Sequence, residues 1–165
     1  MGENVMERVE ALEKRLKVLE EERAILSTLY TYGHAIDYGL KAEWLDCFTD
    51  DAVYKVQAFG ITIPEVGVKQ PASGLKGKKI LSMYIANHTK SPELRHKHFL
   101  VEPVIRLDDG GQAFVESYFA RLDEDRNGPY VLAFGRYLDK MIKSKDGKWR
   151  FKERICDMES RMPKR

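Results

Sequence analysis

The sequence predicts an α+β domain, one curved sheet with helices closing its concave face. Three observations carry this. Residues up to about 38 keep helical apolar spacing, roughly the last 70 alternate like strands, and one strand and two short helices stand between.

Residues 3 to about 38 read as helix. Val5, Val9, Leu12, Leu16 and Leu19 follow 4-3-4-3 spacing, an a/d seam. The seam lasts about two heptads before Arg23 takes its next position, too short for a free-standing coiled coil. The expectation is an amphipathic arm packed on its own domain or on a neighbouring subunit. From Glu22 the stripe continues through Ile25, Leu26, Leu29, Gly33 and Ile36, and Gly39 offers a left-handed stop. A second helix over about 41–48 places Trp44, Leu45 and Phe48 at helical spacing, and Thr49, Asp50 and Asp51 break it.

AVYKVQAF from Ala52 alternates as a strand, and ITIPEVGVKQPASG, with two prolines, reads as a strand end and a loop. Residues 76–88 read as a helix with Ile80, Leu81, Tyr84 and Ile85 inward. LRHKHFLVEPVIRL, QAFVESYFARL, YVLAFGRYLDKMIK and KWRFKERICDM are four strands of an antiparallel meander, separated by Gly- and Asp-rich turns. The expected division is an arm over 1–21, a domain over 22–158 and a tail over 159–165.

Composition narrows the function. The 165 residues suit one domain large enough to enclose a pocket. Lys plus Arg is 28 against 26 Asp plus Glu, a net charge of +2 spread along the chain. No basic block marks a nucleic-acid partner, although the final MPKR looks like one in isolation. No apolar run spans a membrane, and the charged N-terminus has no signal-peptide core, so a cytoplasmic location is expected. Cys47 and Cys156 form neither a CxxC nor a metal motif.

The candidate chemistry lies in His34, His88, His96, His98 and Asp37. His96 and His98 are two apart on a strand and share a face. Such a pair can bind metal, but local spacing supplies no third ligand, so no metal and no cofactor are expected. Phosphate-loop, dinucleotide and serine-hydrolase motifs are absent. Asp37 falls at the inner edge of the first helix's stripe, where a carboxylate faces partly inward; a solvated helix end is the alternative. Tyr30 and Tyr32 sit on the borders of that stripe, where tyrosines are usually core residues with a satisfied hydroxyl.

The run ERAILSTLYTYGHAIDYGLKAEWLDCFTDDAVY resembles the opening of the SnoaL-like branch of the nuclear-transport-factor-2-like superfamily. RHKHFLVEPVIRLDDGGQAFVESYF resembles that branch's His-bearing strand, and GRYLDKMIKSKDGKWRFKER its last hairpin. The resemblance covers about residues 20–156 and implies a cone-shaped fold. Within the branch it points to cofactor-free lyases: scytalone dehydratase, bile-acid 7α-dehydratase and hexachlorocyclohexane dehydrochlorinase. Their shared Asp and His match Asp37 and His98, with His96 as the competing His. The family often places Asn four residues after the His, where Glu102 stands here. Tyr32 matches a pocket tyrosine of the bile-acid enzymes, and the arm RVEALEK resembles their N-terminus.

The implied activity is a dehydratase-type elimination on a hydrophobic oxygenated ring compound, such as a steroid, polyketide or aryl metabolite. A neutral His suits a base near pH 7, and a buried Asp fixes its tautomer. Tyr32, Tyr54 and Tyr118 are candidate donors, and Arg136 and Arg154 candidate oxyanion stabilisers; a surface or interface ion pair is the alternative for each Arg. Phe59, Met83, Phe119, Phe134 and Trp149 are candidate cavity walls or ordinary core. A cofactor-free isomerase or cyclase, a ligand-binding module and the small subunit of a ring-hydroxylating dioxygenase are the competing functions. The resemblance further implies a homo-oligomer, a trimer rather than a dimer.

Overall fold

The structure, a computed structural model, describes residues 4–161. The MPKR run, residues 162–165, lies outside them. Helix α1 spans Val5–Tyr38 and ends as its sequence directs: Gly39 adopts φ 65° and its N–H donates to the Ala35 carbonyl. Short α2 (Lys41–Asp46) leads into β1 (Phe48–Ala58). Two-residue strands β2 (Ile61–Thr62) and β3 (Leu75–Lys76) flank β1, and α3 covers Lys78–Asn87. Four long strands follow: β4 (His96–Leu107), β5 (Gln112–Asp125), β6 (Gly128–Lys143) and β7 (Trp149–Met158).

The sheet order is β2-β1-β7-β6-β5-β4, with β3 beside β1. Strands β4 to β7 form the expected antiparallel meander, and β1 joins β7 in parallel. Register shifts at Val101/Val104, Arg121/Leu122 and Lys140/Met141 bend the sheet, as bulges do. The sheet stays open. Its concave face holds α2, α3 and the second half of α1, which buries Ile25, Leu29, Tyr32, Ala35 and Ile36. Among the described residues no helix is long and apolar enough to cross a membrane.

Three local expectations are corrected. Phe48 opens β1 instead of closing α2, and pairs with Phe151. Asp50 and Asp51 stay in the strand because each side chain reaches an outside lysine, Lys78 and Lys152. Ile80 is exposed, since the inward face of α3 is set by Leu81, Tyr84 and Ile85. The arm does not pack on its own domain: Val5, Val9, Leu12, Leu16 and Leu19 are all exposed. The described end of the tail is tied down, with Glu159 on Arg136 and Ser160 Oγ accepting from the Phe134 N–H.

Candidate active site

Two elements far apart in sequence meet at Asp37. The last turn of α1 crosses the start of β4, and this brings the Asp37 carboxylate, 3% exposed, against His98. His98 Nδ1 donates to Asp37 Oδ1 at 2.6 Å. The His98 backbone N–H lies 3.2 and 3.1 Å from the two carboxylate oxygens. One residue thus supplies both a ring and a main-chain donor to the same acid. A carboxylate only accepts, so in the neutral imidazole the proton sits on Nδ1 and Nε2 is the free base.

His96 and His88 complete a cluster in which the imidazole centroids stand 5.5–5.7 Å apart. His96 Nδ1 donates to the Leu94 carbonyl at 3.1 Å. Its Nε2 is buried without a hydrogen bond, 3.5 Å from Asp37 Oδ1. Burial, then the charges of Arg121 and His98, hold His96 below its ordinary value. His88 Nδ1 donates to the Thr89 carbonyl at 2.6 Å, and burial pushes this imidazole down to about 4.

His98 and His88 stand on the wall of a cavity of about 360 Å³ inside the cone. Tyr54 and Val56 of β1, Tyr84 of α3, Phe119 and Arg121 of β5, Tyr137 of β6 and Cys156 of β7 line it further. The wall is mainly apolar and aromatic, with few polar groups, as small-molecule sites are.

A family model, the SnoaL-like domain, matches residues 17–155. The chain belongs to the SnoaL-like family. No curated protein matches significantly. Solved structures share the fold at low identity. The β subunit of a candidate aromatic-ring-hydroxylating dioxygenase from Novosphingobium aromaticivorans aligns with TM-score 0.71 at 20% identity over 89% of this chain and 94% of that one. A candidate scytalone dehydratase from the same organism aligns with TM-score 0.67 at 20% identity, covering 86% of each chain. A nuclear-transport-factor-2-like protein with a cystatin-like fold, again from that organism, gives TM-score 0.72 at 19% identity over 89% and 87%. Such identities establish the fold and leave chemistry to the site.

In this SnoaL-like domain the other expected site residues divide. Tyr54 lines the cavity, and its hydroxyl lies 3.2 Å from that of Tyr32 and 3.3 Å from that of Tyr84. Burial holds Tyr32 and Tyr54 well above the ordinary phenol value and pushes Tyr84 up to about 12, so all three stay protonated near pH 7. Tyr32 is not a cavity wall: it is enclosed by Trp44, Phe48, Tyr137 and Phe151, and reaches the cavity through Tyr54.

Tyr118 and Arg136 are corrections. They face each other across β5 and β6 on the convex side, because strand alternation that sends Phe119 and Tyr137 inward sends them outward. Arg136 makes ion pairs with Glu116 and Glu159, the surface alternative given for it above. Arg154 is a correction of another kind. It is fully buried beneath the cavity, with its guanidinium 3.9, 3.8 and 4.3 Å from the ring centroids of Tyr32, Tyr137 and Phe151. Of the candidate walls only Phe119 lines the cavity. Phe59, Met83 and Phe134 are exposed, and Trp149 lies elsewhere with Nε1 donating to Glu21.

Sequence reasoning turned Tyr84 inward and counted His88 among the histidines, but it put neither of them in the site and passed over Arg121. The first two are four apart at the end of α3, a spacing that puts both on the face of Leu81. Arg121 pairs in register with His98 across β4 and β5 and so shares its inward face. Asp123 braces its Nε and Nη2 at 2.7 and 3.1 Å.

The donor atoms of Asp37, His96 and His98 lie within 4.8 Å of one another. His98 Nδ1 already carries a proton toward Asp37, so ligation through that nitrogen would require the 2.6 Å hydrogen bond to open.

Proposed function

We propose that this SnoaL-like protein is a cofactor-independent lyase that eliminates water from a hydrophobic, oxygenated ring compound. One observation carries the reading: a carboxylate-braced imidazole at 2.6 Å on the wall of an apolar cavity. His98 Nε2 takes a proton from the carbon beside a carbonyl. That electron pair forms the new C=C bond as the C–O bond to the leaving hydroxyl breaks. The departing oxygen takes a proton from the His98 imidazolium, regenerating the base, and leaves as water. Tyr54 and Tyr84 share one hydrogen bond, so one of the two phenols donates to the other and the second keeps its proton for the substrate's carbonyl oxygen. Arg121 is a further donor on the same wall.

The substrate volume is bounded by the cavity, about 360 Å³. We further propose a homo-oligomer, a trimer rather than a dimer. Phe114, Tyr118, Phe134, Val101 and Val104 expose an apolar convex sheet face, which supports burial against a neighbour. A second reading, a ligand-binding subunit of a ring-hydroxylating dioxygenase, is favoured by the overlap with the β subunit at TM-score 0.71.

A panel of ring β-hydroxy ketones tests the proposal through the ultraviolet absorbance of the conjugated enone. Turnover by the wild-type chain that His98→Ala removes, with circular dichroism unchanged, supports it. Full turnover in His98→Ala refutes the assigned base. Binding of ring ketones without turnover of any of them favours the subunit reading.

A further inference from the structure

The arm of α1 carries a seam that its own domain does not use. Val5, Val9, Leu12, Leu16 and Leu19 are between 41% and 72% exposed, whereas the first fully buried side chain of the helix is Ile25. The two stripes do not share a face. At about 100° per residue, Leu16 points about 180° away from Ile25 around the axis, so a straight helix cannot pack both on one core. The seam ends where the domain begins, at exposed Arg23.

The charges beside the seam identify what covers it. With Val9 and Leu16 at a and Val5, Leu12 and Leu19 at d, the g positions are Arg8 and Arg15 and the e positions beyond them are Glu13 and Glu20. All four are exposed. In a parallel pair each g residue faces the e residue five positions on in the neighbouring helix. Arg8 then meets the partner's Glu13, and Arg15 meets the partner's Glu20. An antiparallel pair instead sets g against g and e against e, which brings Arg to Arg and Glu to Glu. The shortness of the seam is offset by continuity with the anchored half of α1, which supplies the helical nucleus that an isolated segment lacks.

We propose that the arm is an interface between copies of this chain, in which neighbouring arms run parallel and in register through the a/d seam. This goes beyond the catalytic reading and does not depend on it.

Full-length Val5→Cys tests the proposal, because a parallel in-register pair sets the two Val5 positions side by side whereas an antiparallel pair, which layers d on a, sets Val5 against the partner's Leu16. Cys47 and Cys156 are buried. Mild oxidation is expected to give a disulfide-linked dimer on a non-reducing gel. Adding Arg8→Glu and Arg15→Glu should lower the yield by about fifteen-fold, four exposed pairs at a factor of about two each. Mixing that variant with Val5→Cys carrying Glu13→Arg and Glu20→Arg should restore the yield through a mixed dimer. Equal cross-linking with and without the Arg8→Glu and Arg15→Glu changes overturns the proposal. So does a mixture of Val5→Cys and Leu16→Cys chains that cross-links to each other in preference to Val5→Cys with itself.

Discussion

Asp139 sits fully buried beside Arg154, with Oδ1 3.4 Å from Nε, and neither carboxylate oxygen makes a hydrogen bond. Burial pushes its acid up to about 7, and the pull of Arg154 does not cancel that rise. The guanidinium is instead held against the faces of Tyr32, Tyr137 and Phe151, so it does not depend on Asp139 alone for its charge. An acid raised in the native state contributes stability that is complete below its unfolded value near 3.9 and is lost as pH rises through 7. Between pH 5 and 7 the native state holds a proton that the unfolded chain has released. At about 1.4 kcal/mol per pH unit, the wild type loses about 2–3 kcal/mol through this group. Asp139→Asn fixes the neutral form and removes the slope. The assay is urea denaturation of both proteins at pH 5, 6, 7 and 8. Asp139→Asn is expected to gain about 2–3 kcal/mol on the wild type across that range, or about 5–10 °C in Tm. Parallel curves for the two proteins would refute this reasoning, because they would mean that the native carboxyl is ionised throughout.

Two further outcomes are expected. His88, held down to about 4 by burial, should destabilise the fold as pH falls from 6.5 to 4, where the unfolded chain takes up a proton that the native state refuses. In His88→Gln, Tm measured over that window should fall less steeply than in the wild type. Exhaustive chelation should leave turnover unchanged; loss restored by one divalent ion would instead assign Asp37, His96 and His98 as its ligands.

The long periodicities were legible because each element repeats one signal many times. Alternation placed all four strands β4 to β7, and the stripe from Ile25 to Ile36 with Gly39 placed α1 and its end. The parallel pairing of β1 with β7 was not legible, since no local pattern records which distant strand lies alongside. Face assignments failed where alternation was not counted from a fixed inward residue: Tyr118 and Arg136 are one residue from Phe119 and Tyr137, which do face the cavity. Arg154 has the right parity, yet it ends beneath the tyrosines and not among the cavity walls. Glu102 records a different limit. It adopts φ 51° at the β4 bulge, a conformation that Asn tolerates better, and no local residue pattern marks a bulge there.

The cluster holds three imidazoles, and hydrogen bonding distinguishes them. His88 and His96 each direct Nδ1 to a backbone carbonyl, which fixes a tautomer but adds no negative charge to stabilise an imidazolium. Burial lowers both, so each is a poor proton acceptor near neutrality. His98 alone directs Nδ1 to a carboxylate and also stands on the cavity wall. Asp37→Asn is therefore the informative change within the proposed mechanism. The amide can turn its NH₂ toward Nδ1, and the ring then shifts its proton to Nε2, leaving no base toward the substrate. The backbone N–H of His98 still finds the amide oxygen, so the fold should persist. Turnover should fall by about 10⁴-fold, the scale of losing the correct tautomer in a carboxylate–imidazole pair, with Tm within a few degrees of wild type. Asp37→Asn with wild-type turnover would separate the carboxylate from the chemistry and leave it as a clamp between α1 and β4.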